Sequence, residues 1–459
     1  MTPPARRVAA LAVLAPLVTL LPVSPSSAAD WRPPATLSQV SRGNVTLADL
    51  DVGPRGHAAA AWVQTRPGGY QIRVATRDRR GGWSRARSLT GWFRWGYSGP
   101  LSYGGRPQVA VDRRGAATVA WSQAYAGTVR VRAVTRSASG QWSSPRWLSS
   151  KGKLGVNPRL ATSPAGTVLT WQQGRPFGDP RLLSRYRPRG GGWGPTERLD
   201  EKRFVQLGSA DAVVDPGGRA VVTWDEERQS RCCAGRVRVA TYLPGTGWSV
   251  ATLFRRSNHS HQPEIDLADD GTVTIAWEDY DKILVSHLPP GGAWTAPEQV
   301  VVLGESVAPD LVGVGTTDSG GTVVGWTRLD LRSGRRGDVL SVQETPGASW
   351  SRERVSKPAG EPYLTPFFPA LAVDERGGAT MTWQVQVADP RGWYRVYARH
   401  RLPDGTWQPA TRLGRVTSSE SLGVDDRGTV TALWLEGHHG RLEDSCCTSV
   451  RARILPATG

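Results

Sequence analysis

Eight times along the chain a glycine is followed five or six residues later by a tryptophan, at intervals of roughly fifty residues. The pairs are Gly56/Trp62, Gly115/Trp121, Gly166/Trp171, Gly218/Trp224, Gly271/Trp277, Gly321/Trp326, Gly378/Trp383 and Gly428/Trp434. A unit of that length, made of short β-branched and aromatic runs between Gly, Pro, Asp and Ser clusters, cannot bury its apolar face alone and must stack on its neighbours. Eight such units predict an all-β fold, a single eight-bladed β-propeller.

A second tryptophan series indicates how the ring closes. Trp83, Trp142, Trp193, Trp248, Trp294, Trp350 and Trp407 interleave with the first series, most of them just after a Gly-rich turn. The missing eighth copy is Trp31, at the other end of the chain, in Asp30-Trp31-Arg32-Pro33-Pro34. The last unit stops at Ile454-Leu455-Pro456, where other units continue into their Trp strand. The N-terminal strand is therefore expected to complete the last blade, removing the exposed edges of an open sheet.

Each unit reads as four strands. In unit 2 these are Pro107–Val111, Ala117–Trp121, Val129–Thr135 and Trp142–Leu148, with Asp112-Arg113-Arg114-Gly115 as the first turn. Asp accepts backbone N–H groups at the start of such a turn, and Gly takes the positive φ at its end. The same turn recurs at Asp215/Gly218, Asp374/Gly377 and Asp425/Gly428. Both tryptophan series are read as wedges between twisted sheets.

Residues 1–29 read as a secretory signal: Arg6 and Arg7, then the apolar run from Val8 to Val23, then Ser27-Ala28-Ala29. The expected product is a secreted, extracellular propeller spanning residues 30–459, without a membrane span and monomeric. The terminal Leu455-Pro456-Ala457-Thr458-Gly459 resembles a wall-sorting signal, but the repeat accounts for it, since Arg401-Leu402-Pro403-Asp404-Gly405 holds the same place in unit 7. The formal charge of +17 comes almost wholly from Arg, the lysines being Lys151, Lys153, Lys202, Lys282 and Lys357. An exported chain so basic adheres to anionic polymers. Its arginines are spread over all units, which argues against specific nucleic-acid binding.

Candidate chemistry gathers on one face, where the loops joining strands 2 and 3 meet the crossovers between blades. Asp225, Glu226 and Glu227 follow Trp224, and Glu278, Asp279 and Asp281 follow Trp277. Asp225, Glu227, Glu278 and Asp279 are candidates for ligand binding; alternatively, carboxylates of these neighbouring units could serve glycoside hydrolysis, with Glu227, Asp279 and Asp281 the catalytic candidates. The unit 1–2 crossover holds Trp92, Phe93, Trp95, Tyr97 and Tyr103, aromatics outside the repeat and so candidates for ligand stacking. His259 and His261 form a weak metal-ligand pair. Cys232-Cys233 and Cys446-Cys447, in an exported chain, read as a disulfide within each adjacent pair. No cofactor is expected.

The turn ahead of a Trp that opens strand 4, as in Asp404-Gly405-Thr406-Trp407, resembles the Asp-box (BNR) repeat of sialidase-like propellers and the Trp-repeat propeller lectins. The resemblance implies the fold and a glycan-facing role. It does not carry the sialidase catalytic set: there are eight units rather than six, and no Arg-Ile-Pro. The resulting expectation is a non-catalytic binder of glycan or anionic cell-envelope polymer, or a scaffold for a protein partner. The alternative is a sialidase-like glycoside hydrolase.

Overall fold

The computed structural model describes residues 30–457 apart from 39–43, 95–105, 176–179, 201–205, 209, 228–234, 256–259, 305, 334–335, 345–349, 357–365, 387–393, 417 and 438–447. The described strands form eight antiparallel sheets of four or five strands, arranged as the blades of a ring; among the described residues there is no helix. No helix is therefore long and apolar enough to cross a membrane, within the same residues.

Blade 1 comprises Val45–Val52, Ala58–Arg66, Gly69–Arg77 and Arg87–Ser88, from the channel outwards, with Phe93–Arg94 also pairing on the third strand. The ring closes in blade 8. Ala35–Thr36 pairs antiparallel with Thr448–Leu455, in the register Ala35 to Ala452 and Thr36 to Arg451. The Arg32 and Leu37 N–H groups extend that ladder to the Ile454 and Val450 carbonyls, each at 2.8 Å. The first and last described strands thus share one sheet.

The first tryptophan series is the wedge. Trp62, Trp121, Trp171, Trp224, Trp277, Trp326, Trp383 and Trp434 are all fully buried, and each packs on the preceding blade. Trp277, for example, meets Val221, Val237 and Val239 of blade 4, and Trp62 meets Leu433, Leu435 and Val450 of blade 8. The second series departs from expectation. Only Trp31 and Trp407 are buried; the others lie half-exposed at the outer edge, where Arg77 stacks on Trp83 at 5.7 Å and Arg187 on Trp193 at 5.4 Å. An outermost strand has no further strand to cover it, so its tryptophan keeps one side near water.

The turns behave as their residues require. Asp112 Oδ1 accepts the Arg114 and Ala116 N–H groups at 2.9 and 2.8 Å, and Gly115 closes the turn at φ 80°. Asp374 and Asp425 repeat the arrangement. Where the acid is absent a hydroxyl substitutes, as Thr317 Oγ1 does for the Gly321 N–H at 2.9 Å. The outer strands of blades 1, 2 and 3 are shorter than expected: in blade 2 only Arg146–Trp147 is strand, with Trp142 bridging to Arg136. Pro145, lacking an N–H, breaks the ladder between them.

Candidate functional site

Second strands continue past their tryptophan, and this corrects the placement of the blade 4 and 5 carboxylates. In blade 4 the strand runs Ala220–Glu227, and in blade 5 Val273–Asp279. Asp225, Glu226 and Asp279 are thus strand residues and are buried, not exposed on loops. Glu226 faces Arg238 at 3.4 Å and accepts from the Trp224 indole at 3.4 Å. Glu278 accepts the Leu311 N–H of blade 6. These carboxylates join elements of the ring together. Asp281 sits half-buried in the turn between Asp279 and Lys282. Glu227 and His261 have described backbone but no described side chain. Trp95, Tyr97, Tyr103, His259, Cys232, Cys233, Cys446 and Cys447 lie outside the described residues.

Trp92 and Phe93 stand on blade 1, with blades 2 and 3 between them and the blade 4 carboxylates. The two candidate groups are therefore not brought into one site. Trp92 lies against the tip of the hairpin joining strands 2 and 3, where Gly69 pairs with Arg66. Its ring is 38% exposed, and the Arg66 guanidinium stacks on it at 4.1 Å. Phe93 packs on Tyr70 at 5.7 Å, and the Tyr70 hydroxyl accepts the Ala124 N–H of blade 2 at 3.2 Å. Blade 1's aromatics are thereby tied to the blade 2 hairpin tip, which carries the next exposed ring, Tyr125. That tip turns through Ala126 and Gly127, both at positive φ, as a tight two-residue hairpin needs. Tyr125 lies 5.0 Å from Trp147, whose ring has Arg130 and Arg132 at 4.6 and 4.5 Å.

A third exposed ring, Tyr280, occupies the corresponding hairpin tip of blade 5 at φ 58°. A bulky side chain rarely adopts that conformation, which costs about 1–2 kcal/mol. Trp92, Tyr125 and Tyr280 are the exposed large aromatics among the described residues, and all stand on the same face. Of the three, only Trp92 is among the candidates read from the sequence. The sequence marks Tyr125 and Tyr280 only as aromatics at two-residue turns.

The axial channel is acidic, a feature sequence reading missed. Inner strands have one unpaired edge, and carboxylates on alternate positions satisfy it across the blade boundary. Asp49 accepts the Val109 N–H at 2.9 Å, Asp51 the Val111 N–H at 2.6 Å, and Asp266 the Thr316 N–H at 2.7 Å. Burial pushes Asp51 and Asp211 up to about 6. Glu264 rises to about 8, through burial first and then its neighbour Asp211, with Arg159 opposing. Glu264 is half-buried, facing the solvent-filled channel. A cavity of about 380 Å³ on the axis reaches the opposite face through Asp51, Asp266, Asp269, Glu375 and Asp426.

At that lower mouth, carboxylate oxygens of Asp269, Glu375 and Asp426 lie within 4.8 Å of one another, a set suited to a hard cation. Arg113 reaches them from blade 2, 3.2 Å from both Asp269 and Asp426. Burial and the adjacent Asp269 and Asp426 push Glu375 up to about 8, so it holds a proton at neutral pH. Arginine and proton together already compensate much of the cluster's charge.

No protein-family model matches the chain, and no curated protein matches it. Its fold has counterparts among solved structures. The polysaccharide lyase Uly1 is similar at TM-score 0.50 and 10% identity, over 80% of this chain and 93% of that one. The WD40 domain of SCAP from fission yeast aligns at TM-score 0.48 and 9% identity, over 93% and 98%. The Hadza microbial sialidase Hz136 aligns at TM-score 0.37 and 12% identity, over 78% and 77%. At 10% identity the likeness to Uly1 is one of fold alone.

Proposed function

We propose that this propeller binds carbohydrate carrying acidic groups, such as an anionic cell-envelope polymer, on the face formed by the hairpins between strands 2 and 3. The observation that carries the reading is the placement there of all three exposed large aromatics among the described residues. Flat rings stack on sugar faces, and Arg66 beside Trp92 and Arg130 beside Tyr125 add cations suited to carboxylate or sulfate groups. The net charge of +17 includes the channel carboxylates, which face inwards, so the outer surface is more basic than that figure implies. Export, expected from residues 1–29, would bring the protein to such polymers. A hydrolytic role for Asp279 draws no support from its surroundings: it is buried at a strand end, and the neighbouring Glu278 is engaged by a backbone N–H.

The test is affinity electrophoresis against acidic and neutral polysaccharides of matched size. Retardation by the acidic set is expected. Trp92→Ala and Tyr125→Ala should each weaken it several-fold, matching about 1 kcal/mol for a lost stacking contact. Absence of retardation by any polysaccharide would overturn the proposal.

A further inference from the structure

The outer edges of a propeller are its open edges, and this chain guards nearly all of them. After the tryptophan that opens the fourth strand, Pro145, Pro195, Pro297 and Pro409 interrupt blades 2, 3, 5 and 7, and Pro33 and Pro34 interrupt blade 8. Arg85 and Arg87 charge the edge of blade 1, and Arg352, Glu353 and Arg354 that of blade 6. Proline and charge are the usual means of preventing strand-to-strand association. Blade 4 has neither, reading Trp248-Ser249-Val250-Ala251-Thr252-Leu253-Phe254 before Arg255.

The structure shows the consequence. The outer strand of blade 4 runs nine residues, Gly247–Arg255, where those of blades 2 and 3 run two, Arg146–Trp147 and Glu197–Arg198. Ser249, Val250 and Ala251 are exposed along it. Beside its lower half lies a groove of about 890 Å³ between blades 4 and 5, lined by Val239, Leu243, Ser249, Ala251, Leu288 and Trp294, with Asp270 also on its wall. Val250 and Leu243 are 40% and 44% exposed.

We infer that this edge is a homodimer interface, in which the outer strand of a second copy pairs antiparallel about a two-fold axis at Val250. The occupant follows from the strand's own pattern. Its exposed part, Ser249–Ala251, is centred on Val250 and lies within a register that runs unbroken from Gly247 to Thr252. Antiparallel self-pairing therefore sets Trp248 opposite Thr252, Ser249 opposite Ala251, and Val250 opposite itself. The strand starts at the lower face and ends upwards at Arg255. The second copy's Arg255 then falls opposite Gly245, in the turn beside Leu243 and Pro244, where the exposed Asp270 lines the same groove. A two-fold axis makes this charge match twice. The dimer replaces the monomer expected from the closed ring, since closure removes the edges between blade 8 strands but leaves each outer strand open.

Sedimentation equilibrium tests the inference on the full mature chain. Twice the monomer mass is expected at micromolar concentration, and Val250→Lys, which places two like charges directly opposite, should return the single mass. Val250→Cys should give a disulfide-linked dimer on mild oxidation, because directly paired Cβ atoms stand within bridging distance. Leu331→Cys, equally exposed on blade 6, should not. An unchanged unfolding curve for Val250→Lys would show that the fold survives. A single-mass wild type with no cross-linking through Cys at 250 overturns the inference, including the case in which the edge instead binds an unrelated peptide.

Discussion

Replacing Trp31 by alanine tests the closure of the ring. Trp31 is 5% exposed and packs on Val396, Leu413, Val430 and Leu455, joining blade 8 to blade 7. A buried tryptophan removes about 200 Å² from water, which at about 25 cal/mol per Å² corresponds to about 5 kcal/mol. Alanine retains a small part of that, so the expected loss is about 3–5 kcal/mol. The surrounding contacts depend on the same residue being seated. Arg453 donates to the Trp31 and Arg32 carbonyls at 3.3 and 2.9 Å, and the Val450 N–H donates to Ser38 Oγ at 2.8 Å. Urea denaturation gives the free-energy change, and hydrogen exchange at Val450 and Ala452 shows whether the last blade opens first. Trp92→Ala, removing a ring of equal size that is 38% exposed, is the control and should cost less than Trp31→Ala. A Trp31→Ala loss no larger than that control would refute the reasoning, for the first strand would then be an appendage and not a closing element.

Two further predictions concern the acidic axis. Glu264 has a folded-state value of about 8 against about 4.5 when unfolded, so between those pH values the folded protein holds a proton the unfolded chain has lost. Its contribution is therefore most favourable below pH 4.5 and fades as pH climbs through 8. Glu264→Gln should leave stability unchanged near pH 4 and raise it progressively towards pH 8, measured as the urea midpoint across a pH series; a gain independent of pH would contradict the assignment. At the lower mouth, Arg113 already serves as counter-ion to Asp269 and Asp426. Calcium should leave the wild-type thermal midpoint in place but raise that of Arg113→Ala, and an equal response in both proteins would show that the arginine does not occupy the site.

Parts of the candidate site were legible and parts were not, for separable reasons. Trp92 stands out in the sequence because an aromatic outside the repeat has no packing role assigned by its period; the structure places it at 38% exposure with Arg66 stacked on it. Asp225 and Asp279 were misplaced because the reading ended each second strand at its tryptophan. The hairpin that pairs Asp279 with Lys282 is so short that the strand must run through them. The channel acids were visible as Asp49-Leu50-Asp51 and Glu264-Ile265-Asp266, charges at period two on an inner strand. Their partners lie some fifty residues away, as in Asp266 with Thr316, and local patterns do not show such contacts.

The repeat of Gly and Trp, and the displaced Trp31, determined the number of blades, their four-strand build and the way the ring closes. Those are consequences of period and side-chain size, properties a linear chain displays directly. Only the tertiary structure decided which carboxylates face solvent, which satisfy backbone N–H groups of the next blade, and which aromatics share a face. Burial and the pairing of polar groups depend on what each blade meets across its boundary, and that neighbour is set by the ring and not by adjacent residues.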